Sequence, residues 1–217
     1  MGSAVIGGLE VEVMDLTQIS LCPQAPFPEI VHILKSDGFV IDESFSSDFR
    51  LRKEVYERLK IAQAALPEGL RLCVFEAYRP LARQIAMWNK VREEMRGKYP
   101  DVEGDAFVRL CENFIANPYD GIGSGHQACC AVDVSVCTAS GDLLDMGTGM
   151  HQFNEWTKTH VAGLGAEGRK NRDVLERAMC SAGFANYPAE WWHFSYGDHQ
   201  WAWLTGHDTA LFGPIDI

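Results

Sequence analysis

Two short stretches set ionisable side chains into otherwise apolar sequence, and both suit chemistry at a metal ion. The first is Ser124-Gly125-His126, followed after six intervening residues by Asp133 within Ala131-Val132-Asp133-Val134. An aspartate between two valines in a buried-type strand costs free energy unless it is paired or coordinates a cation. The second is Glu190-Trp191-Trp192-His193, a carboxylate and an imidazole among aromatics. Histidine and aspartate from the first stretch plus histidine from the second make three N/O ligands. A fourth position stays open for water, the arrangement of a catalytic rather than a structural zinc site. Glu190 is then the natural base for that water.

Each residue also has an ordinary structural explanation. His193 can be a hydrogen-bonded core residue, and Asp133 can be ion-paired to an arginine. Glu190 can stand at a solvated strand edge, and His126, in a Gly/Ser loop, can lie on the surface. The spacing matches none of the short generic zinc motifs. Residue types and spacing therefore leave the metal reading beside these four explanations.

The elements that must position these groups read as follows. Up to about residue 46 the chain is weakly patterned, and Pro23, Pro26 and Pro28 break any long element. Val11–Met14 alternates like a short strand. Leu51, Val55, Leu59, Ala62 and Leu66 have helical spacing, with Ser47 or Asp48 available as cap and Pro67 and Gly69 as terminators. Leu72–Phe75 reads as a buried strand. Pro80 opens a second helix whose buried face is Leu81, Ile85, Trp88, Val91 and Met95. A shorter helix carries Phe107, Leu110, Cys111 and Phe114.

A glycine-rich turn, residues 121–125, leads into a strand from about Ala128 to Val136, with a hairpin tip at Ser140-Gly141 and a return strand at Leu143-Leu144. A last helix holds Val174, Leu175, Ala178, Met179 and Ala182 and ends at Gly183. The run Trp191–Tyr196 is a strand candidate. Strands separated by unequal connections predict a single α+β domain over 1–217, with 1–46 as an irregular N-terminal segment. On a regular strand Glu190 and His193 would point to opposite faces. Both reach one ion only if the chain bends at Glu190, and Pro188 just before it favours an irregular start.

The chain has 217 residues, with 19 Lys+Arg against 30 Asp+Glu for a net charge of −11, so nucleic acid and anionic membranes are not the expected partners. No apolar run is long enough to span a bilayer. Seven cysteines without framework spacing, and no N-terminal signal pattern, predict free thiols in a reducing cytoplasm.

The stretch Ser124-Gly125-His126-Gln127-Ala128-Cys129-Cys130-Ala131-Val132-Asp133 resembles the Ser-x-His-x-x-Gly-x-Ala-x-Asp motif of the D-alanyl-D-alanine dipeptidases, the VanX-type zinc peptidases. Glu190-Trp191-Trp192-His193 is similar to the second half of that signature, and Ala77-Tyr78-Arg79-Pro80 to the family's Tyr-Arg-Pro segment. Phe114–Pro118 and Asp145–Thr148 are also family-like.

The resemblance implies one zinc per chain on His126, Asp133 and His193, with Glu190 as general base. It implies Arg79 at the scissile carbonyl or its oxyanion, and Ser124 in contact with substrate. It implies a small α+β fold with a twisted antiparallel sheet, shared with D,D-carboxypeptidases and the Hedgehog signalling domain. The expected substrate is D-alanyl-D-alanine or a similar D,D-dipeptide. The alternatives are a D,D-carboxypeptidase or other muropeptide or D-amino-acid peptidase, and a non-catalytic zinc-binding module.

Two positions depart from the pattern. Cys129 stands at the family's glycine, where a thiol would narrow the site. His151, after Met150, stands where the family has an aspartate expected to hold the substrate ammonium, so His151 is the substrate-binding candidate at that place.

Overall fold

The computed structural model describes residues 2–24, 27–152 and 154–217. Ahead of the first helix come β1 (Gly2–Ile6), β2 (Leu9–Val13), β3 (Ser20–Leu21), β4 (Ile30–His32), β5 (Val40–Ile41) and β6 (Arg50–Arg52). Then follow α1 (Lys53–Ala65), β7 (Leu70–Glu76), α2 (Leu81–Lys98), α3 (Gly104–Glu112) and β8 (Ala131–Thr138). The chain ends with α4 (Ala166–Ser181), β9 (Ala185–Asn186), β10 (His193–Ser195), α5 (His199–Thr205) and β11 (Thr209–Ala210). No helix among the described residues is long and apolar enough to cross a membrane.

The architecture is α+β. Its main sheet has the order β5-β7-β8-β10-β9. β7, β8, β10 and β9 pair antiparallel, as expected, but β5 joins β7 in parallel and makes the sheet mixed. Strict alternation divides β8 between two environments. Val132, Val134 and Val136 enter the main core, where they meet Leu59 of α1 and Leu175 and Met179 of α4. Asp133, Ser135 and Cys137 occupy the other face. A smaller core lies under the β1–β2 hairpin, where Val11 packs with Trp88, Val91 and Met95 of α2 and Phe107 and Leu110 of α3.

The register of β7 on β8 slips once. Val74 faces Val134, but Glu76 rather than Phe75 faces Asp133. This bulge supplies the extra residue that brings Glu76 to the Asp133 side of the sheet.

Several boundaries differ from the sequence reading. The N-terminal segment is not irregular throughout, since β1 to β5 lie within it; Pro23 and Pro28 sit between β3 and β4, and Pro26 lies outside the described residues. Ser47 and Asp48 do not cap α1: Arg52 occupies that position without a side-chain cap, and Asp48 instead accepts from Arg50 Nε at 2.9 Å. Strand β6 intervenes between the two.

Gln84 takes the place of Ile85 on the buried face of α2. The 128–130 stretch is a turn, so β8 begins at Ala131. Leu143 makes a single bridge to Cys137 instead of a return strand. Gly183, at φ +91°, ends α4 as expected, its N–H donating to the Cys180 carbonyl at 2.9 Å.

Candidate metal centre and active-site cleft

Asp133 and His193 are direct partners in the β8–β10 ladder, on the face turned away from the main core. Asp133 Oδ1 lies 3.0 Å from His193 Nδ1 and 3.4 Å from His126 Nε2. The candidate ligand atoms of His126, Asp133 and His193 all fall within 4.8 Å of one another.

His126 reaches this point from the tight turn before β8, in which the Gly125 carbonyl accepts from the N–H groups of Cys130 and Ala131. Only glycine fits at 125, because a Cβ there would stand 2.0 Å from Asp198 Oδ2.

The donor set suits a cation of zinc type. His126 Nδ1 donates to the Ala77 carbonyl at 2.8 Å, which fixes the tautomer and leaves a lone pair on Nε2. That Nε2 is buried and has no hydrogen-bond partner. A buried nitrogen beside a carboxylate oxygen calls for a partner, and a cation of this type could supply it. Burial opposes ionisation of Asp133, yet the neighbouring imidazoles of His126, His151 and His193 hold its carboxyl well below the usual range. Burial likewise lowers the His193 pKa, but Asp133 outweighs it and the net shift is upward.

Glu190 stands where the chain bends. Its N–H donates to the Tyr187 carbonyl at 3.0 Å, and its own carbonyl accepts from His193 N–H at 3.2 Å. The bend that Glu190 and His193 require is therefore a turn through Trp191 and Trp192, and β10 starts only at His193, shorter than the run 191–196. Both tryptophans are core residues. Burial pushes the Glu190 carboxyl up to about 7, against the pull of His193; Asp133 adds to the rise. A carboxylate poised there can exchange a proton near neutral pH.

Arg79 is buried in a network that sequence inspection missed. Its Nε donates to Glu76 Oε1 at 3.0 Å, its Nη2 to Glu76 Oε2, and its Nη1 to Gln84 Oε1 at 2.9 Å. Arg83 also donates to Glu76, which is fully buried. Burial would raise the Glu76 pKa, but Arg79 prevails and lowers it. The signal in the sequence is slight: a glutamate closing an apolar strand, three residues before Arg79.

The remaining site candidates also stand in this region. Ser124 Oγ accepts from Gln127 N–H at 3.1 Å and so caps the turn that carries His126. His151 lies with Nε2 3.1 Å from Asp133 Oδ2. Cys129 does not narrow the cleft. It is fully buried, with φ +56°, a conformation that glycine adopts without strain, and its thiol is pushed up to about 12 by burial. One cavity of about 730 Å³ is lined by all seven candidates: Arg79, Ser124, His126, Asp133, His151, Glu190 and His193.

An α+β fold whose cleft gathers a His-Asp-His cluster that could hold a metal, a carboxylate of raised pKa and an anchored guanidinium has the layout of a metallopeptidase. The D-ala-D-ala dipeptidase model of Peptidase_M15 matches residues 49–208, and the chain belongs to that family. It is 28% identical over 136 residues to the D-alanyl-D-alanine dipeptidase of Escherichia coli K12, a match covering 63% of this chain and 58% of that protein. The dipeptidase of Synechocystis sp. PCC 6803 is 27% identical over 180 residues, covering 72% and 73%. That of Enterococcus faecalis V583 is 28% identical over 148 residues, covering 65% and 69%.

Two solved structures are also similar. One is a VanY D,D-pentapeptidase mutant from a VanB-type vancomycin-resistance cassette, in complex with Zn(II), at a TM-score of 0.48 and 18% identity, covering 89% of this chain and 96% of that one. The other is VanYB in complex with D-alanine-D-alanine, at 0.49 and 17%, covering 89% and 94%.

Proposed function

We propose that the protein is a zinc-dependent dipeptidase that hydrolyses D-alanyl-D-alanine or a close D,D-dipeptide. His126, Asp133 and His193 would hold the metal, and Glu190 would be the general base. The observation that carries this reading is the buried, unpartnered Nε2 of His126 beside Asp133 Oδ1, with Glu190 in the same cleft.

A bound zinc ion supplies Lewis acidity and lowers the pKa of its water to about 7. Glu190 would accept a proton from the attacking water and would return it to the leaving amine nitrogen when the C–N bond breaks. Two amino acids leave for each water consumed. Arg79, held in place by Glu76 and Gln84, faces the negative charge that grows on the carbonyl oxygen. Ser124 and His151 line the space for substrate. The whole chain would act as one domain in a reducing cytoplasm, in keeping with seven free cysteines, five of them buried. With a net charge of −11, the partner would be a small substrate rather than a polyanion.

The cavity favours a second reading of the substrate. The about 11 non-hydrogen atoms of D-Ala-D-Ala fill roughly 200 Å³ at the density of a protein interior, against about 730 Å³ in the cleft. A D,D-carboxypeptidase acting on longer peptides would use that room.

Metal analysis and D-alanine release, measured on one preparation with free and N-acetylated D,D-peptides, test both readings. Zinc with hydrolysis of the free dipeptide supports the first, and cleavage of acetylated longer peptides alone supports the second. A zinc-loaded protein that cleaves neither has lost the assignment.

A further inference from the structure

His151 has a backbone that few side chains adopt. Cys129 and His151 are the non-glycine residues at positive φ among the described residues, His151 at +57°. Such a conformation persists where the surroundings enforce it. Here the imidazole stacks on Phe45, with ring centres 3.8 Å apart and planes at 19°, and it meets the Trp192 ring edge-on at 5.5 Å. Phe45 is itself tied down by Arg83, whose Nη2 donates to its carbonyl at 2.7 Å. The ring is thus clamped, and what it presents to the site is Nε2.

That nitrogen lies 3.1 Å from Asp133 Oδ2. A carboxylate oxygen only accepts, so Nε2 carries the proton. The two oxygens of Asp133 therefore face different groups: Oδ1 faces the nitrogens of His126 and His193, and Oδ2 faces His151.

Glu76, Asp133 and His151 also stand within ligand range of one another. However, both oxygens of Glu76 already accept from Arg79, and one accepts from Arg83 as well. Two guanidiniums against that carboxylate oppose a dication there. His151 is left to act on Asp133.

We propose that His151 is a positioning residue, whose Nε2–H holds Asp133 Oδ2 and leaves Oδ1 as the single oxygen offered to the metal. The inference rests on reading His126, Asp133 and His193 as the ligand set. Neighbours that orient a metal ligand typically change metal affinity by about 10–100-fold when removed.

The test compares His151→Phe, which keeps the stack on Phe45 and loses the donor, with His151→Gln, whose amide nitrogen reaches about as far as Nε2. Zinc affinity is read by chelator competition at one pH, together with zinc per chain and the folding midpoint of each variant. The expected result is one zinc per chain throughout, affinity about 10–100-fold weaker in the Phe variant, and return to within several-fold of wild type in the Gln variant.

Unchanged affinity in the Phe variant with a raised KM would make His151 a substrate contact and overturn the proposal. Two zinc ions in wild type falling to one in the Phe variant would make it a ligand, and overturn it equally. Equal loss in both variants with a lowered folding midpoint would reduce it to packing. The reading of the ligand set fails separately, on wild-type metal content alone: a wild type that takes up no zinc removes both.

Discussion

Asp133 and His193 face each other across the β8–β10 ladder, and on its other side Asp133 faces Glu76 of β7. A row of three ionisable residues thus crosses three neighbouring strands on the face turned away from the main core. Its members are divided by partner: Glu76 serves the guanidiniums of Arg79 and Arg83, while Asp133 serves the imidazoles of His126, His151 and His193. That division lets one carboxylate anchor Arg79 and leaves the next to the three imidazoles, although both are buried.

If the triangle holds zinc, His126→Ala and His193→Ala each lose one of three protein ligands. Zinc affinity should fall by more than about 100-fold, the upper range for merely orienting neighbours. Glu190→Ala should keep one zinc per chain and lose most turnover. Metal content after dialysis against a weak chelator checks all three. Zinc lost from the Glu190 variant would make Glu190 a ligand.

Glu190 should also mark the stability of the metal-free protein. Its folded pKa of about 7 exceeds the ordinary 4.5, so the folded state binds this proton more tightly than the unfolded chain. The associated stability is present below about 4.5 and is lost as pH rises through about 7. Glu190→Gln cannot ionise. It should match wild type near pH 4 and exceed it by about 3 kcal/mol at pH 8. Urea unfolding of both proteins with metal removed measures the difference, and a gap that does not grow with pH refutes it.

Arg79 and Glu76 should separate in experiment. Arg79→Ala should lower kcat by about 100–1,000-fold, the loss typical of one oxyanion donor, with zinc retained. Arg79→Lys should not restore it, because an ammonium cannot span both Glu76 oxygens and Gln84. Glu76→Ala leaves two guanidiniums without their buried carboxylate and should cost about 3–5 kcal/mol of stability. Thermal unfolding and steady-state kinetics on the three variants distinguish the roles.

Gly125 should tolerate no side chain. A Cβ would meet Asp198 Oδ2 at 2.0 Å and the Ala131 Cβ at 2.9 Å. Gly125→Ala should destabilise by about 1–3 kcal/mol. It should also weaken zinc binding, because the same turn carries His126. Normal stability and zinc affinity would mean that the turn adapts.

Much of this protein is legible along the chain. Helical spacing at Val55, Leu59 and Ala62, the apolar strand around Leu72–Val74 and the alternation of Val132, Val134 and Val136 follow from local periodicity and appear as expected. Asp133, Glu190 and His193 stand out because ionisable side chains interrupt apolar runs, a cost visible residue by residue, and His126 stands just ahead of one of those runs. Arg79 is marked only by the resemblance of Ala77-Tyr78-Arg79-Pro80 to the family's Tyr-Arg-Pro segment.

The tertiary structure decided what depends on neighbours distant in sequence. The β-bulge turns Glu76 toward Asp133, and Arg83 holds Phe45 against His151. The short strands β3, β5, β9 and β11 exist only through their pairing partners. Spacing along a chain reports which face a residue takes within its own element. Which oxygen of Asp133 meets which imidazole is set by packing between elements, and no local pattern encodes it.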